Sequence, residues 1–201
     1  GFTGIALESL LDASGVDHDL VRVEEGFTRI NAKIKSAEET ELNGQGPRIT
    51  EADIEELYAK LDALSEGDIL VISGSVPNTL PGDMYERIIE RLDGRGVRIV
   101  VDAERDLLTR VLPYKPFLVK PNNIELGDIF GVELKTRDEV IPYAQKLQEK
   151  GAQNVLVSMA GEGGVLVDAQ GGVHKSPAAK GTVVNSVGAG DSSVAGFIAG
   201  Y

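Results

Sequence analysis

The chain has 201 residues, 20 Lys and Arg against 32 Asp and Glu, a formal net charge of -12 and no cysteine. That acidity argues against general nucleic-acid binding, which needs a basic patch. The lack of cysteine excludes a disulfide framework, thiolate-ligated zinc and a thiol nucleophile, and no apolar run approaches the ~20 residues of a membrane-spanning helix.

Its 24 glycines are numerous, since ~7% is usual. They sit at the ends of apolar runs, where a chain turns or lets a ligand approach its backbone. A chain of this size buries roughly 70% of the surface its unfolded form exposes, enough for one core with an appendage.

Residues 7–13 predict a short helix on Leu7, Leu10 and Leu11, and residues 20–23 a short strand. Residues 28–36 alternate, with Ile30, Ala32 and Ile34 on one face and Arg29, Asn31, Lys33 and Lys35 on the other. This is a half-exposed strand with a basic face, and residues 39–43 return as its hairpin partner across the polar Ala37-Glu38 region. In a chain of net charge -12, a basic strip suits an anionic ligand, although a solvated strand face gives the same pattern.

Thr50 starts a helix, with Asp53 at capping-box spacing and Ile54, Leu57, Tyr58, Leu61 and Leu64 as its apolar stripe. From Ile69 onward, short β-rich runs at 69–72, 97–101, 117–119 and 155–158 alternate with amphipathic helices at 81–92, 107–112, 124–130 and 138–150. Alternation of this kind predicts a mostly parallel sheet with helices on both faces. A further strand is expected at 165–167, a turn at Gly171-Gly172, an extended run ending at Val183-Val184, and a last helix over 192–201.

The sharpest motif is Gly188-Ala189-Gly190-Asp191, expected after the Val183-Val184 strand and at the start of a helix. Glycines there let backbone N–H groups face a ligand, and the helix N-terminus favours a phosphate or oxyanion. Asp191 is then placed as a general base; the competing structural role is to satisfy the helix end. No G-K-[ST] follows, so this is not a Walker loop. As a dinucleotide fingerprint it lacks its third glycine, where Ser193 stands, which argues against a nicotinamide-binding domain.

Lys120-Pro121-Asn122-Asn123-Ile124-Glu125 follows a strand at its carboxyl end. Asn122 and Glu125, three apart, suit either the water shell of a magnesium ion or the cap of a helix. Ser73-Gly74-Ser75-Val76-Pro77 and Asp102 also close apolar strands. Open α/β sheets bind ligands at the carboxyl ends of their strands, so one crevice could collect all of these groups. His18 and His174 lie far apart in polar contexts and read as surface residues.

At these residues the chain resembles the ribokinase-like carbohydrate kinases of the PfkB family. The family's D-T-x-G-A-G-D signature is met by residues 185–191, with Asn185 and Ser186 in place of Asp and Thr, and its N-x-x-E element by residues 122–125. Residues 28–31, 39–43, 46–47, 73–77 and 120–122 are similar to the branch that holds 1-phosphofructokinase and tagatose-6-phosphate kinase.

The resemblance implies a three-layer α/β/α sandwich with a mostly parallel sheet and a small β-sheet lid. Residues 1–27 would be part of the core, 28–47 the lid hairpin and 48–201 the rest of the core. Gly1-Phe2-Thr3-Gly4 looks like the family's G-F-x-G, which implies a chain lacking the elements before it and the helices that close the adenine pocket after Tyr201.

Carried onto this sequence, the roles are as follows. Asp191 would be the base, and Gly188, Ala189 and Gly190 the anion hole for the transferring phosphoryl. Arg29 and Asn43 would bind the substrate. Lys120, Ser158, Gly161 and Gly163 would border the nucleotide, and Asn122 and Glu125 would order Mg2+ through water; Asp102 lies near the same crevice. The expected activity is cytoplasmic, ATP-dependent phosphorylation of a ketohexose phosphate, most naturally D-fructose 1-phosphate to the 1,6-bisphosphate. Tagatose-6-phosphate kinase is the alternative, and a non-catalytic nucleotide- or sugar-phosphate-binding protein is the competitor from another class. ATP and the sugar phosphate would be the partners, with no nucleic acid, no membrane, and a homodimer built through the lid. Asn185 and Ser186 fall where relatives help form a monovalent-cation site, so potassium dependence need not carry over.

The charge distribution fits phosphate chemistry. Residues 1–28 carry -5 and 51–68 carry -6, whereas the hairpin segment 29–50 carries +1 and residues 69–201, which hold every strand-end motif, only -2.

Overall fold

The computed structural model describes residues 1–35, 39–184 and 186–201. The polar connection expected at Ala37-Glu38 and the departure at Asn185 lie outside the described residues. Two compact units divide the chain, one made of Gly1–Leu64 and Val76–Met84, the other of Ser65–Ser75 and Tyr85–Tyr201.

The first unit starts with helix α1 (Phe2–Ala13), which begins earlier than the leucine spacing predicts. Residues 20–23 form no strand. An apolar run becomes a strand only through a paired neighbour. Here Val21 and Val23 are half-buried, and Arg22 is held by Glu8 of α1 at 2.7 Å.

The hairpin forms as its alternation predicts. Strand β1 (Asn31–Lys35) pairs antiparallel with β2 (Glu39–Asn43), with Ala32 opposite Leu42 and Ile34 opposite Thr40. Helix α2 (Glu51–Leu61) carries both bonds of its capping box, the Thr50 hydroxyl accepting from the Asp53 amide and the Asp53 carboxylate from the Thr50 amide.

The second unit is built on six strands, β3 (Ile69–Ser73), β4 (Arg98–Asp102), β5 (Leu118–Val119), β6 (Asn154–Ser158), β7 (Gly164–Val167) and β8 (Val173–Ser176), which lie side by side in chain order. The first four run parallel, and the last two add antiparallel hairpins. Helices α3 (Met84–Arg91), α4 (Arg105–Val111), α5 (Asn123–Phe130) and α6 (Arg137–Glu149) fill the crossovers. The strand order always advances in one direction, so right-handed crossovers put these helices on one face of the sheet.

Helix α7 (Ala189–Gly200) covers the other face. Its Val194, Phe197 and Ile198 pack with Val100, Phe117, Leu118, Ile69 and Leu156. The layers are therefore helix, sheet, helix, as expected. The core is near-continuous Val and Leu, with Val100, Val101, Leu118, Val119, Val155 and Val157 fully buried, as parallel strands covered on both faces require.

Two expectations change. The Val183-Val184 run is not a strand; both side chains lie exposed, at 80% and 93%, and among the described residues no strand precedes α7 directly. Conversely, β8 has no apolar alternation to announce it, because this edge strand is exposed along its whole length.

Gly163 sets the β6–β7 turn. Its φ is +89°, and a Cβ there would stand 2.0 Å from the Ser176 carbonyl oxygen. Gly163→Ala should lower stability by about 2 kcal/mol or more. Gly161→Ala, where a Cβ meets open space, should stay within about 0.5 kcal/mol of the parent. Urea midpoints check both, and equal midpoints for the two variants would contradict the clash.

Hydrogen bonds from Thr50 to Asp53, from the amides of Lys135 and Thr136 to Glu139, and from His174 and the Gly172 amide to Asp168 hold these carboxyls below their ordinary pKa values. The unfolded chain therefore binds their protons first as pH falls, and stability declines below about pH 4. Urea midpoints measured from pH 6 to pH 2.5 should fall through that range; a flat profile would contradict it.

Candidate active site

The carboxyl ends of β3 to β6 converge on one edge of the second unit. Gly74, just past β3, has a φ of +90° and donates its amide to the Asp102 carbonyl at 3.1 Å. The Tyr85 hydroxyl donates to the Gly74 carbonyl at 2.9 Å, tying this turn to α3. Burial, with a smaller contribution from the nearby Asp102 charge, raises the Tyr85 hydroxyl above its ordinary pKa. Nothing in the local sequence singles out Tyr85; only its place beneath the turn does.

Asp102 ends β4, opposite Ser73 in the ladder. One position past β5, the Lys120 amide donates to the Val101 carbonyl at 3.1 Å, and Lys120 as a whole is buried, 6% exposed. Its Nζ lies 3.0 Å from Asp102 Oδ1. The pairing joins two positions 18 apart in the chain, so it becomes visible only once β4 and β5 lie side by side.

Next along the edge, Asn122 caps α5. Its Oδ1 accepts from the amides of Ile124 and Glu125, each at 2.8 Å, while Glu125 Oε2 accepts from the Asn122 amide at 2.8 Å. The capping role is thus realised in full, and it fixes both side chains toward the strand end. Asn122 forms a parallel bridge with Ser158 at the end of β6, whose amide donates to Pro121 at 3.1 Å. The turn that follows runs through Ala160, which takes a φ of +45°, to the exposed Gly161 and then Gly163.

Helix α7 enters at this edge. Gly188 is its N-cap in the left-handed region, with no side-chain cap bond. The Ala189 amide bonds back to the Ser186 carbonyl at 3.2 Å, and the Ser192 amide begins the helical ladder on Gly188 at 2.8 Å. Between them, the amides of Gly190 and Asp191 belong to the first turn, where N–H groups have no intrahelical acceptor. Asp191 stands exposed in that turn and does not cap it.

Gly190 packs closely on Lys120, since a Cβ at 190 would lie 3.4 Å from Lys120 Nζ and 3.8 Å from Cε. The structure thus brings Lys120 and Gly188-Ala189-Gly190-Asp191 together, with Asn122, Glu125, Ser158, Gly161 and Gly163 along the same strand ends. Two amides in a helix's first turn and a fixed ammonium make a cradle for phosphate oxygens.

Arg29 and Asn43 belong to the other unit. They stand at the base of the hairpin, where Asn43 is opposite Asn31. Residues 44–46 fold back on that base, the Gly44 amide donating to the Ile30 carbonyl at 3.1 Å. Gly46, at φ +77°, packs beside Arg29 Cβ. The side chains of Lys33 and Lys35, expected on the basic face, lie outside the described residues.

Among the described residues, no group of three or more His, Cys, Asp and Glu is arranged to hold a metal ion, and no helix is long and apolar enough to cross a membrane.

The family model for pfkB carbohydrate kinases matches residues 1–201. A 1-phosphofructokinase of Bacillus subtilis is 44% identical over 200 residues, which cover 100% of this chain and 65% of that protein. A D-tagatose-1-phosphate kinase of Bacillus licheniformis is 37% identical, over 98% of this chain and 65% of that one. The solved structure of phosphofructokinase-2 from Escherichia coli in complex with fructose-6-phosphate superposes with a TM-score of 0.83 at 30% identity, covering 96% of this chain and 64% of that one. The chain therefore spans a little under two thirds of the length of the proteins it matches. With the family model matched along the whole chain and this likeness to its members, the chain belongs to the pfkB family of carbohydrate kinases.

Proposed function

We propose that the protein carrying this chain transfers the γ-phosphoryl of ATP to the C6 hydroxyl of D-fructose 1-phosphate. The observation that carries the reading is the cradle at the start of α7, where the Gly188–Asp191 turn meets the buried Lys120 ammonium. Phosphoryl transfer asks a protein mainly for positioning and charge stabilisation, and both are supplied there by groups that need no rearrangement.

In this reading Asp191 accepts the proton of the C6 hydroxyl as its oxygen attacks the γ-phosphorus. The bond from that phosphorus to the β–γ bridging oxygen breaks, and ADP leaves. Gly190, with Gly188 and Ala189 setting the turn, presents backbone N–H groups to the transferring phosphoryl. Lys120, Ser158, Gly161 and Gly163 border the remaining phosphates. Arg29 grips the phosphate already on the sugar, and Asn43 completes the recognition of the substrate.

Mg2+ would accompany ATP and neutralise charge on its phosphates. Asn122 and Glu125 fit such an ion through its waters rather than as direct ligands, because Asn122 Oδ1 and Glu125 Oε2 are engaged in the capping box. The setting is the cytoplasm. The hairpin packs against that of a second copy, a role supported by its apolar face, on which Ile30, Ile34 and Leu42 are 56%, 50% and 58% exposed.

The D-tagatose-1-phosphate kinase among the relatives favours a second reading. D-tagatose 1-phosphate differs from fructose 1-phosphate only at C4 and offers the same C6 hydroxyl, so the substrate class becomes ketohexose 1-phosphates. Tagatose 6-phosphate, by contrast, would require transfer to C1.

A coupled ADP-release assay with ATP and magnesium should show fructose 1-phosphate turned over faster than tagatose 1-phosphate, tagatose 6-phosphate or ribose. Phosphorylation of ribose or a nucleoside and of neither ketohexose phosphate would contradict the reading. Binding of ATP with no ADP release on any sugar would point to a binding protein. Asp191→Asn should lower kcat by about 10³-fold, with affinities for both substrates kept within a few-fold; unchanged turnover would remove Asp191 as the base.

A further inference from the structure

We infer that Asp102 is a positioning residue, whose carboxylate holds the Lys120 ammonium against the Gly188–Asp191 turn so that it meets the incoming phosphate; this rests on the kinase reading above. A lysine side chain is a flexible stem that ordinarily keeps its ammonium in water. Lys120 does the opposite. Its side chain is 7% exposed, and its Nζ lies 3.0 Å from an Asp102 carboxylate that is itself only 18% exposed.

Asp102 can serve as a fixed point because its backbone is tied to the turn after β3. Its carbonyl accepts the Gly74 amide at 3.1 Å, and the Tyr85 hydroxyl holds the Gly74 carbonyl at 2.9 Å. The Lys120 amide is in turn bonded to the carbonyl of Val101 at 3.1 Å. Both ends of the ion pair are therefore set by the β4–β5 register, and Gly190 lies over Nζ, where a Cβ would stand 3.4 Å away in van der Waals contact.

This arrangement makes a prediction that a plain structural ion pair does not. The Asp102 charge neutralises the ammonium while the crevice is empty, and it also opposes the charge of the nucleotide. Asp102→Asn removes that opposition but frees the ammonium to leave its place. Binding of ATP in the ground state should then tighten, by about threefold, while kcat falls by about 10-fold to 100-fold because the ammonium no longer sits where charge develops. Lys120→Met should weaken ATP binding and lower kcat together. In the Lys120→Met background, Asp102→Asn should lower kcat no further, because the carboxylate has nothing left to aim, while the tightening of ATP, a direct charge effect, persists.

The test is a double-mutant cycle of Asp102→Asn and Lys120→Met in the protein carrying this chain, with kcat from ADP release, Kd for ATP from titration calorimetry, and thermal melting to confirm folding. Opposite movement of kcat and Kd in Asp102→Asn, with the kcat loss abolished in the Lys120→Met background, supports the assignment. A kcat within twofold of the parent overturns it, and so does an equal loss with and without Lys120. If Asp102→Asn does not fold, Asp102→Glu carries the cycle: it keeps the charge but displaces the ammonium, so kcat should fall with Kd for ATP little changed, and only while Lys120 is present. A parent protein that binds ATP but phosphorylates none of the sugars fails the kinase reading, and Kd of Lys120→Met then decides: weaker ATP binding supports the ammonium's place at the phosphates, and an unchanged Kd overturns it. A parent that binds no ATP overturns both.

Discussion

A buried ammonium must be neutralised, and the edge of this sheet is organised around that requirement. Lys120 is held by Asp102, and an ion pair of such low exposure is tolerable only where geometry is fixed and further hydrogen bonds are made. The fixing comes from the ladder itself. β4 and β5 are parallel neighbours, which places the end of one beside the first residue beyond the other. The turn after β3, the cap of α5 and the start of α7 then assemble around that point. Removing one partner of the pair would leave a charge in a site built for two.

The same edge shows how one residue serves fold and chemistry together. Asn122 and Glu125 complete a capping box, so the helix that follows β5 starts at a fixed place. That cap aims their side chains at the strand ends. Gly163 is shaped by packing, since the Ser176 carbonyl leaves no room for a side chain, whereas the neighbouring Gly161 faces open space. Two glycines in one motif thus have different physical reasons.

Much of the fold was legible because its signals are local. Runs such as Ile69–Ser73 and Arg98–Asp102 are bounded by polar strand ends, and Thr50 with Asp53 announces a helix that forms with both cap bonds. What escaped depends on partners. Residues 20–23 read as a strand by composition but pair with none among the described residues, and Val183-Val184 are apolar yet exposed. β8 is a strand only because β7 offers it an edge. Within the site, Asp191 and the glycines before it were visible as a motif at a helix start. The link from Asp102 to Lys120, and the support of Tyr85 beneath it, arise from register and burial, which no local pattern encodes.

The central claim is that the first turn of α7 receives the transferring phosphoryl. The most direct measurement is a ¹H–¹⁵N correlation spectrum of the protein titrated with magnesium and a non-hydrolysable ATP analogue. The amides of Gly190 and Asp191 should shift downfield and saturate together, as N–H groups do when they begin to donate to an anion. Saturable binding of the analogue that leaves both amides unmoved would place the phosphates elsewhere and contradict the account.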